Sequence, residues 1–129
     1  MVRLAEARNE AVLDRDADVL SGAVSRLSDL WKLTNAQVGK VIGLSAPTVS
    51  RLRSGTVYLE RGTKPFELAQ YLVRLFRSLD SLTGSDDEAA ISWLNTENQD
   101  LNGRPIDLIR SVKGLSEVTN YVDDFRARI

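Results

Sequence analysis

Residues 33–55 read LTNAQVGKVIGLSAPTVSRLRSG, and their local chemistry specifies two short helices joined by a sharp turn. Val38, Val41 and Ile42 fall at helical spacing on one face of the first segment. Val49 and Leu52 lie three apart on the second, so the two segments share a core. Gly43 supplies the positive φ that a sharp helix exit requires. Ser45 is an N-cap, and Pro47 sits in the first turn, where a missing N–H is no loss. Thr34 or Asn35 caps the first helix, Gly39 is the small residue where the helices cross, and Gly55 closes the second helix at C′. With Val49 and Leu52 turned inward, Ala46, Pro47, Thr48, Ser50, Arg51 and Arg53 face outward. That face is short, polar and basic, as an element entering a major groove must be. The stretch is a helix-turn-helix. A bare helical hairpin would not need two caps, a glycine turn and the TVSRLRSG ending to agree.

Upstream, residues 18–32 carry Leu20, Val24, Leu27, Leu30 and Trp31 in the i, i+3, i+4, i+7 rhythm of a helix lying under the motif. Trp31 reads as a core anchor rather than a platform for a base. Residues 1–13 are rich in helix formers, with Leu4, Ala7, Ala11 and Val12 on one side, and form an N-terminal arm. Downstream, TVYLERGTKP is a loop punctuated by Gly62 and Pro65. Its Tyr58, Arg61 and Lys64 either reach phosphates or are simply solvated. Pro65 opens a long helix to residue 82, with Leu68, Tyr71, Leu72, Leu75, Phe76 and Leu79 as its apolar stripe. The stripe is wide enough to close the core and still offer a surface to a second subunit. Thr83, Gly84 and Ser85 end it.

The net charge of −1 and pI near 5.5 conceal an asymmetry. Residues 1–20 sum to −2, residues 21–80 to +5 and residues 81–129 to −4. The basic middle suits phosphate contacts, and the acidic end suits a different partner. Beyond Ser85, read as a cap, Asp86, Asp87 and Glu88 favour a helix N-terminus. A short helix then runs to residue 95 with Ile91, Trp93 and Leu94 apolar. NTENQDLNG is a turn-rich connector with Leu101 tucked in and Gly103 permitting a sharp turn. Pro105 starts a helix carrying Ile106, Leu108, Ile109 and Val112 to a stop at Gly114. A last helix over 115–128 shows Leu115, Val118, Tyr121, Val122 and Phe125. The fold class is all-α.

The chain holds no cysteine and no histidine, which removes disulfides, thiolate chemistry and the usual zinc ligands. A hydrolytic triad lacks its base, and no GxxxxGK[ST] or GxGxxG loop occurs. Capping explains the acidic run at 86–88 better than a metal site. An enzyme is not expected, and no metal or cofactor is implied. MVRLAEARNE is not of signal-peptide type, and no apolar run reaches the roughly 20 residues of a bilayer span. A soluble cytoplasmic protein without membrane contact is the expectation.

SAPTVSRLRSG resembles the recognition helix of Xre-like, phage-repressor-type DNA-binding domains, departing from that pattern at Gly39, where alanine is usual. AAISWLNTENQDLNGRPIDLIRSVKGLSEVTNYVDDF, residues 89–125, resembles the C-terminal toxin-binding domain of the Xre/MbcA/ParS antitoxin family, most like the ParS type. Trp93 and Leu94, the Asn-rich turn, the run Leu101, Asn102, Gly103, Arg104, Pro105, then Leu108, Gly114, Val118, Tyr121 and Val122 carry the likeness. It covers residues 18–128, with both motifs in the family's order.

The resemblance implies an N-terminal arm at 1–17, an Xre-like helix-turn-helix bundle at 18–82 and a small helical toxin-binding module at 83–129. It implies an antitoxin that neutralises an NAD-consuming RES-domain toxin by covering its active site with the C-terminal region, and that represses its own operon. On the DNA side, Ser45, Thr48, Ser50, Arg51 and Arg53 would contact a palindromic operator. Arg51 or Arg53 would read a guanine, and Arg61 and Lys64 would hold phosphates. On the toxin side the candidates are Trp93, Arg104, Tyr121, Asp124, Phe125, Arg126, Arg128 and Ile129. Family members commonly continue into a short glycine-containing tail, whereas this sequence stops at residues 125–129. Arg126, Arg128 and the Ile129 carboxylate are therefore the candidates for the NAD site, with Asp123 and Asp124 as alternatives mimicking an anionic substrate; the bland alternative is an exposed, frayed terminus. A homodimer and a two-to-two toxin–antitoxin complex follow by analogy. The competing readings are a plain dimeric regulator with a C-terminal dimerisation or effector module, and an interaction module that no longer binds DNA.

Overall fold

A computed structural model describes residues 15–128. The expectations for the arm at 1–13 and for Ile129 lie outside those residues. Seven helices make up the described chain: α1 Arg15–Leu30, α2 Asn35–Ile42, α3 Ala46–Arg53, α4 Lys64–Leu82, α5 Asp87–Asn95, α6 Pro105–Leu108 and α7 Val112–Ala127. Arg15 is already helical, so the expected boundary between residues 17 and 18 falls within α1.

The turn of the helix-turn-helix is fixed by caps on both sides. Thr34 and Gln37 form a reciprocal capping box at the start of α2: Gln37 N–H donates to Thr34 Oγ1 (3.0 Å), and Thr34 N–H donates to Gln37 Oε1 (2.8 Å). Gly43 leaves α2 at φ 79°. Ser45 Oγ accepts from Thr48 N–H at 3.3 Å, with Pro47 in the first turn of α3. Between them, Gly39 O accepts from both Gly43 N–H and Leu44 N–H (2.8 and 3.0 Å). A Cβ on Gly39 would overlap the Leu44 carbonyl oxygen. The alanine usual at this place in the family pattern does not fit this turn. At the far end of α3, Thr56 N–H donates to Arg51 O (2.9 Å) and Gly55 N–H to Leu52 O (3.2 Å). With Gly55 at φ 82°, this is a Schellman stop.

Helix α4 is the spine. Thr63 caps it, and its buried residues Phe66, Ala69, Leu72, Val73, Leu75 and Leu79 pack against α1 and α2 on one side and α7 on the other. Trp31 is buried in this core, its ring 5.3 Å from that of Phe76. Part of the apolar stripe expected to close the core is covered by α7, and Leu68 and Phe76 are only partly buried. Tyr71, expected in the stripe, is exposed instead.

Four expectations for the C-terminal part are corrected. Asp86, not Ser85, caps α5, accepting from Ala89 N–H at 3.1 Å. Ser85 sits at φ 64° reversing the chain, and its hydroxyl hydrogen-bonds Asp80 instead. Asn102, not Gly103, takes the left-handed conformation of the connector (φ 60°). Asn98 and Gly103 exchange two backbone hydrogen bonds across it, with Leu101 half-buried beneath. Gly114 does not stop a helix. The Pro105 helix is a single turn, and Gly114 lies in the first turn of α7, donating its N–H to the cap Ser111 Oγ at 3.0 Å. Its missing side chain admits the Leu108 carbonyl, which a Cβ would strike. Val112 opens α7 with 68% of its surface exposed rather than joining the core. Ile106, Ile109, Leu115, Val118 and Val122 pack into the same continuous core as the helix-turn-helix.

Candidate nucleic-acid and partner interfaces

The exposed side of α3 is organised by its own cap. The Ser45 and Thr48 hydroxyls share a hydrogen bond of 2.8 Å, and Arg51 Nη2 donates to Thr48 Oγ1 at 3.3 Å. Ser45, Thr48 and Arg51 thus form one connected polar strip, with Ser50 exposed on the same helix. Arg53 departs from the outward position expected of it. Its guanidinium turns back and donates to Leu33 O (2.9 Å), Asn35 Oδ1 (3.0 Å) and Asp29 Oδ1 (2.5 Å), leaving its side chain 21% exposed. Lys64 is exposed and pairs with Glu67 at 3.1 Å. Arg61 pairs with Asp16 at 3.3 Å and stacks over Phe66. With Val19, Arg74 and Arg126 it lines a shallow cleft of about 750 Å³ between α1, α4 and α7. The structure therefore places Arg61, expected on DNA, and Arg126, expected on a toxin, in the lining of one cleft.

A second surface forms on α5, the connector and α7. Trp93 stacks on Tyr121 (centroids 6.4 Å, 19° between planes), and Tyr121 meets Phe125 edge-on at 5.1 Å. The Arg128 guanidinium lies over the Phe125 ring, 6.0 Å from its centroid. The Tyr121 hydroxyl donates to Asp100 Oδ2 at 2.8 Å. Desolvation of that hydroxyl, and then its bond to Asp100, raise its pKa above the usual tyrosine value near 10, against smaller opposing effects of Asn98 and Arg128. Four of the sequence candidates, Trp93, Tyr121, Phe125 and Arg128, are thus one contiguous ladder. Asp124 is exposed on the same helix. Arg104 is held by a two-point pair with Asp107 (2.9 and 3.3 Å), and Arg126 turns toward α4, donating to Ser78 Oγ at 3.4 Å. Sequence reading missed Asp100 as the partner of Tyr121. The spacing of 121, 125 and 128 along one helix face was the available signal for the ladder. Among the described residues no cluster of three acidic side chains is placed to hold a metal ion, and no helix is long and apolar enough to cross a membrane.

The fold and these two faces define a helix-turn-helix protein with a further helical module packed on it. Residues 10–74, half of the chain, match the model of the antitoxin Xre-like helix-turn-helix domain. Residues 78–128 match that of the antitoxin Xre/MbcA/ParS C-terminal toxin-binding domain. The chain belongs to the Xre/MbcA/ParS antitoxin family. Neither domain family is enzymatic. No curated protein matches the chain.

Proposed function

We propose that this antitoxin neutralises an NAD-consuming RES-domain toxin by covering its active site with the C-terminal region, and represses its own operon through α3 as a cytoplasmic homodimer. The observation that carries the toxin half is the Trp93–Tyr121–Phe125–Arg128 ladder, an aromatic surface on α5 and α7 ending in a cation. Aromatic and arginine side chains of this kind anchor protein interfaces. The Ser45–Thr48–Arg51 strip supports base reading, with Ser50 beside it and Lys64 and Arg61 serving phosphates. A plain regulator would use the same ladder for dimerisation or an effector, and the test below separates the two readings.

The test is capture from the native host with the full chain as bait. The reading expects one protein retained in stoichiometric amount that consumes NAD when freed and stops when the chain is restored. A retained partner that leaves NAD untouched, or none at all, overturns the RES assignment.

A further inference from the structure

Arg53 ends the recognition helix, yet each hydrogen bond its guanidinium makes is to the protein itself. Its Nη1 donates to Leu33 O and Asn35 Oδ1 and its Nη2 to Asp29 Oδ1. Those acceptors belong to the last turn of α1, the connection after it, and the first residue of α2. The Arg53 carbonyl is also tied to α1, accepting from Ser25 Oγ at 3.4 Å. One residue thus binds the C-terminal end of α3 to both preceding helices. The planar, forked guanidinium serves these acceptors from two nitrogens held at fixed separation; an ammonium, with its three donors on one nitrogen, cannot reproduce that fork.

We infer that Arg53 is a positioning residue for DNA recognition: its clamp on Asp29, Leu33 and Asn35 fixes the placement of α3 in the groove, and base selectivity depends on that clamp although Arg53 reads no base. The inference rests on the DNA-binding half of the proposed function. Base edges are read by short hydrogen bonds, so selectivity requires the reading helix to be held within about half an ångström by the residues behind it. The Ser45–Thr48–Arg51 strip holds only itself; nothing in that strip ties it to α1. Val49 and Leu52 seat α3 on the core shared with α1, and the Arg53 clamp adds the directional, hydrogen-bonded tie. Turning Arg53 outward to meet a base would break three hydrogen bonds, one of them charge-paired, and leave Asp29 without its cation.

Asp29 gives the decisive test because the two roles predict opposite signs. Asp29 is a carboxylate that DNA repels, and 69% of its side chain is exposed. If Arg53 met DNA directly, Asp29→Ala would free a cation and remove a repulsion, tightening binding to every duplex. If Arg53 is a clamp, the same change loosens α3 and weakens binding to the chosen sequence.

The experiment uses the full chain and a pool of randomised duplexes, from which the wild-type protein selects its preferred sequence. Affinities for that duplex and a scrambled one are then measured across a salt series, with thermal midpoints of each variant alongside. Asp29→Ala is expected to lower the ratio of selected to scrambled affinity by about tenfold with the salt slope unchanged. Asp29→Asn keeps an acceptor for Nη2 and is expected to restore the ratio. Arg53→Lys keeps the charge, loses the fork and should behave as Asp29→Ala. Tighter binding by Asp29→Ala, a salt slope reduced by about one on removing Arg53, or equal losses on both duplexes that track a lowered midpoint would each overturn the inference. If the wild-type chain binds no duplex in a salt-dependent way, the DNA-binding reading itself fails, and the clamp falls with it.

Discussion

Arg74 on α4 grips Asp123 on α7, Nη2 to Oδ2 at 2.5 Å, and Ser78 on α4 donates to the other oxygen of the same carboxylate at 2.5 Å. The two family domains are thereby joined along one side of a single helix, since the matched segments abut at residues 74–78 inside α4. Asp123 is the hub: Ser78 is buried, and its hydroxyl also receives Arg126. Asp123→Ala should destabilise the chain by roughly 1–2 kcal/mol, mostly through the buried Ser78 hydroxyl losing its acceptor. Solvent on the Arg74 side screens the ion pair to the largely buried Asp123, so Arg74→Ala should cost less than Asp123→Ala. Denaturant unfolding of the variant checks this, and an Arg74→Ala loss as large as that of Asp123→Ala would contradict it.

Gly39→Ala should be destabilising despite the better helix propensity of alanine. The substitution gains up to about 1 kcal/mol in an unstrained helix. Here the added Cβ meets the Leu44 carbonyl, a backbone atom that cannot swing aside, in the turn that aims α3. Overpacking of this kind costs about 1–3 kcal/mol. A thermal midpoint raised by Gly39→Ala would show that the turn relaxes freely.

The helix-turn-helix was readable from sequence because its determinants are local. The Thr34 and Ser45 caps, the Gly43 exit and the Gly55 stop each act within about four residues of their partners. Arg53 was not readable, because its acceptors lie 18 to 24 residues upstream and nothing in TVSRLRSG announces them. The apolar stripe of α4 revealed that something covers it, but not whether that is a second chain or α7. Gly114 illustrates a further ambiguity: a glycine after an apolar run stops a helix or admits a neighbouring backbone, and only the Leu108 carbonyl decides. On the partner side, Trp93, Tyr121 and Phe125 were identifiable one by one. Their stacking across the connector was not.

Arg51→Ala should relax discrimination at one base pair by about 1–3 kcal/mol while leaving the fold intact. Arg51 is exposed and hydrogen-bonds, within the protein, to the neighbouring Thr48 hydroxyl. Competition between the selected duplex and its single-base variants measures the effect. An equal loss on every sequence would make Arg51 a phosphate contact.

Tyr121 predicts an alkaline limit to stability. Its folded-state pKa lies above the unfolded value near 10, because desolvation and the Asp100 carboxylate both disfavour the phenolate. Its contribution is therefore fully present below pH of about 10 and is lost as pH rises through the folded pKa. Asp100→Asn should move the phenolate transition, followed by ultraviolet absorbance, toward lower pH. Tyr121→Phe should remove that late component altogether. A transition unmoved by Asp100→Asn would mean that the hydrogen bond is not formed in solution.

Phe125 should separate partner binding from folding. Its ring touches Tyr121 by an edge and Arg128 by a face, and 43% of its surface is open to solvent. A half-exposed aromatic contributes modestly to the fold, so Phe125→Ala should lower stability by about 1 kcal/mol or less. In an interface the same ring would be fully desolvated, and truncating such an anchor weakens binding by about 2 kcal/mol or more. Val112 serves as the control, being still more exposed at the opposite end of the same helix and far from the ladder in sequence. The aromatic surface as the toxin contact requires that Phe125→Ala weaken capture at least tenfold, an equivalent of about 1.4 kcal/mol, while Val112→Ala leaves it unchanged. Equal losses at both sites would point instead to the whole exposed length of α7, and no loss at Phe125 would move the toxin contact off the ladder, with Asp124 and Arg104 as the next groups to replace.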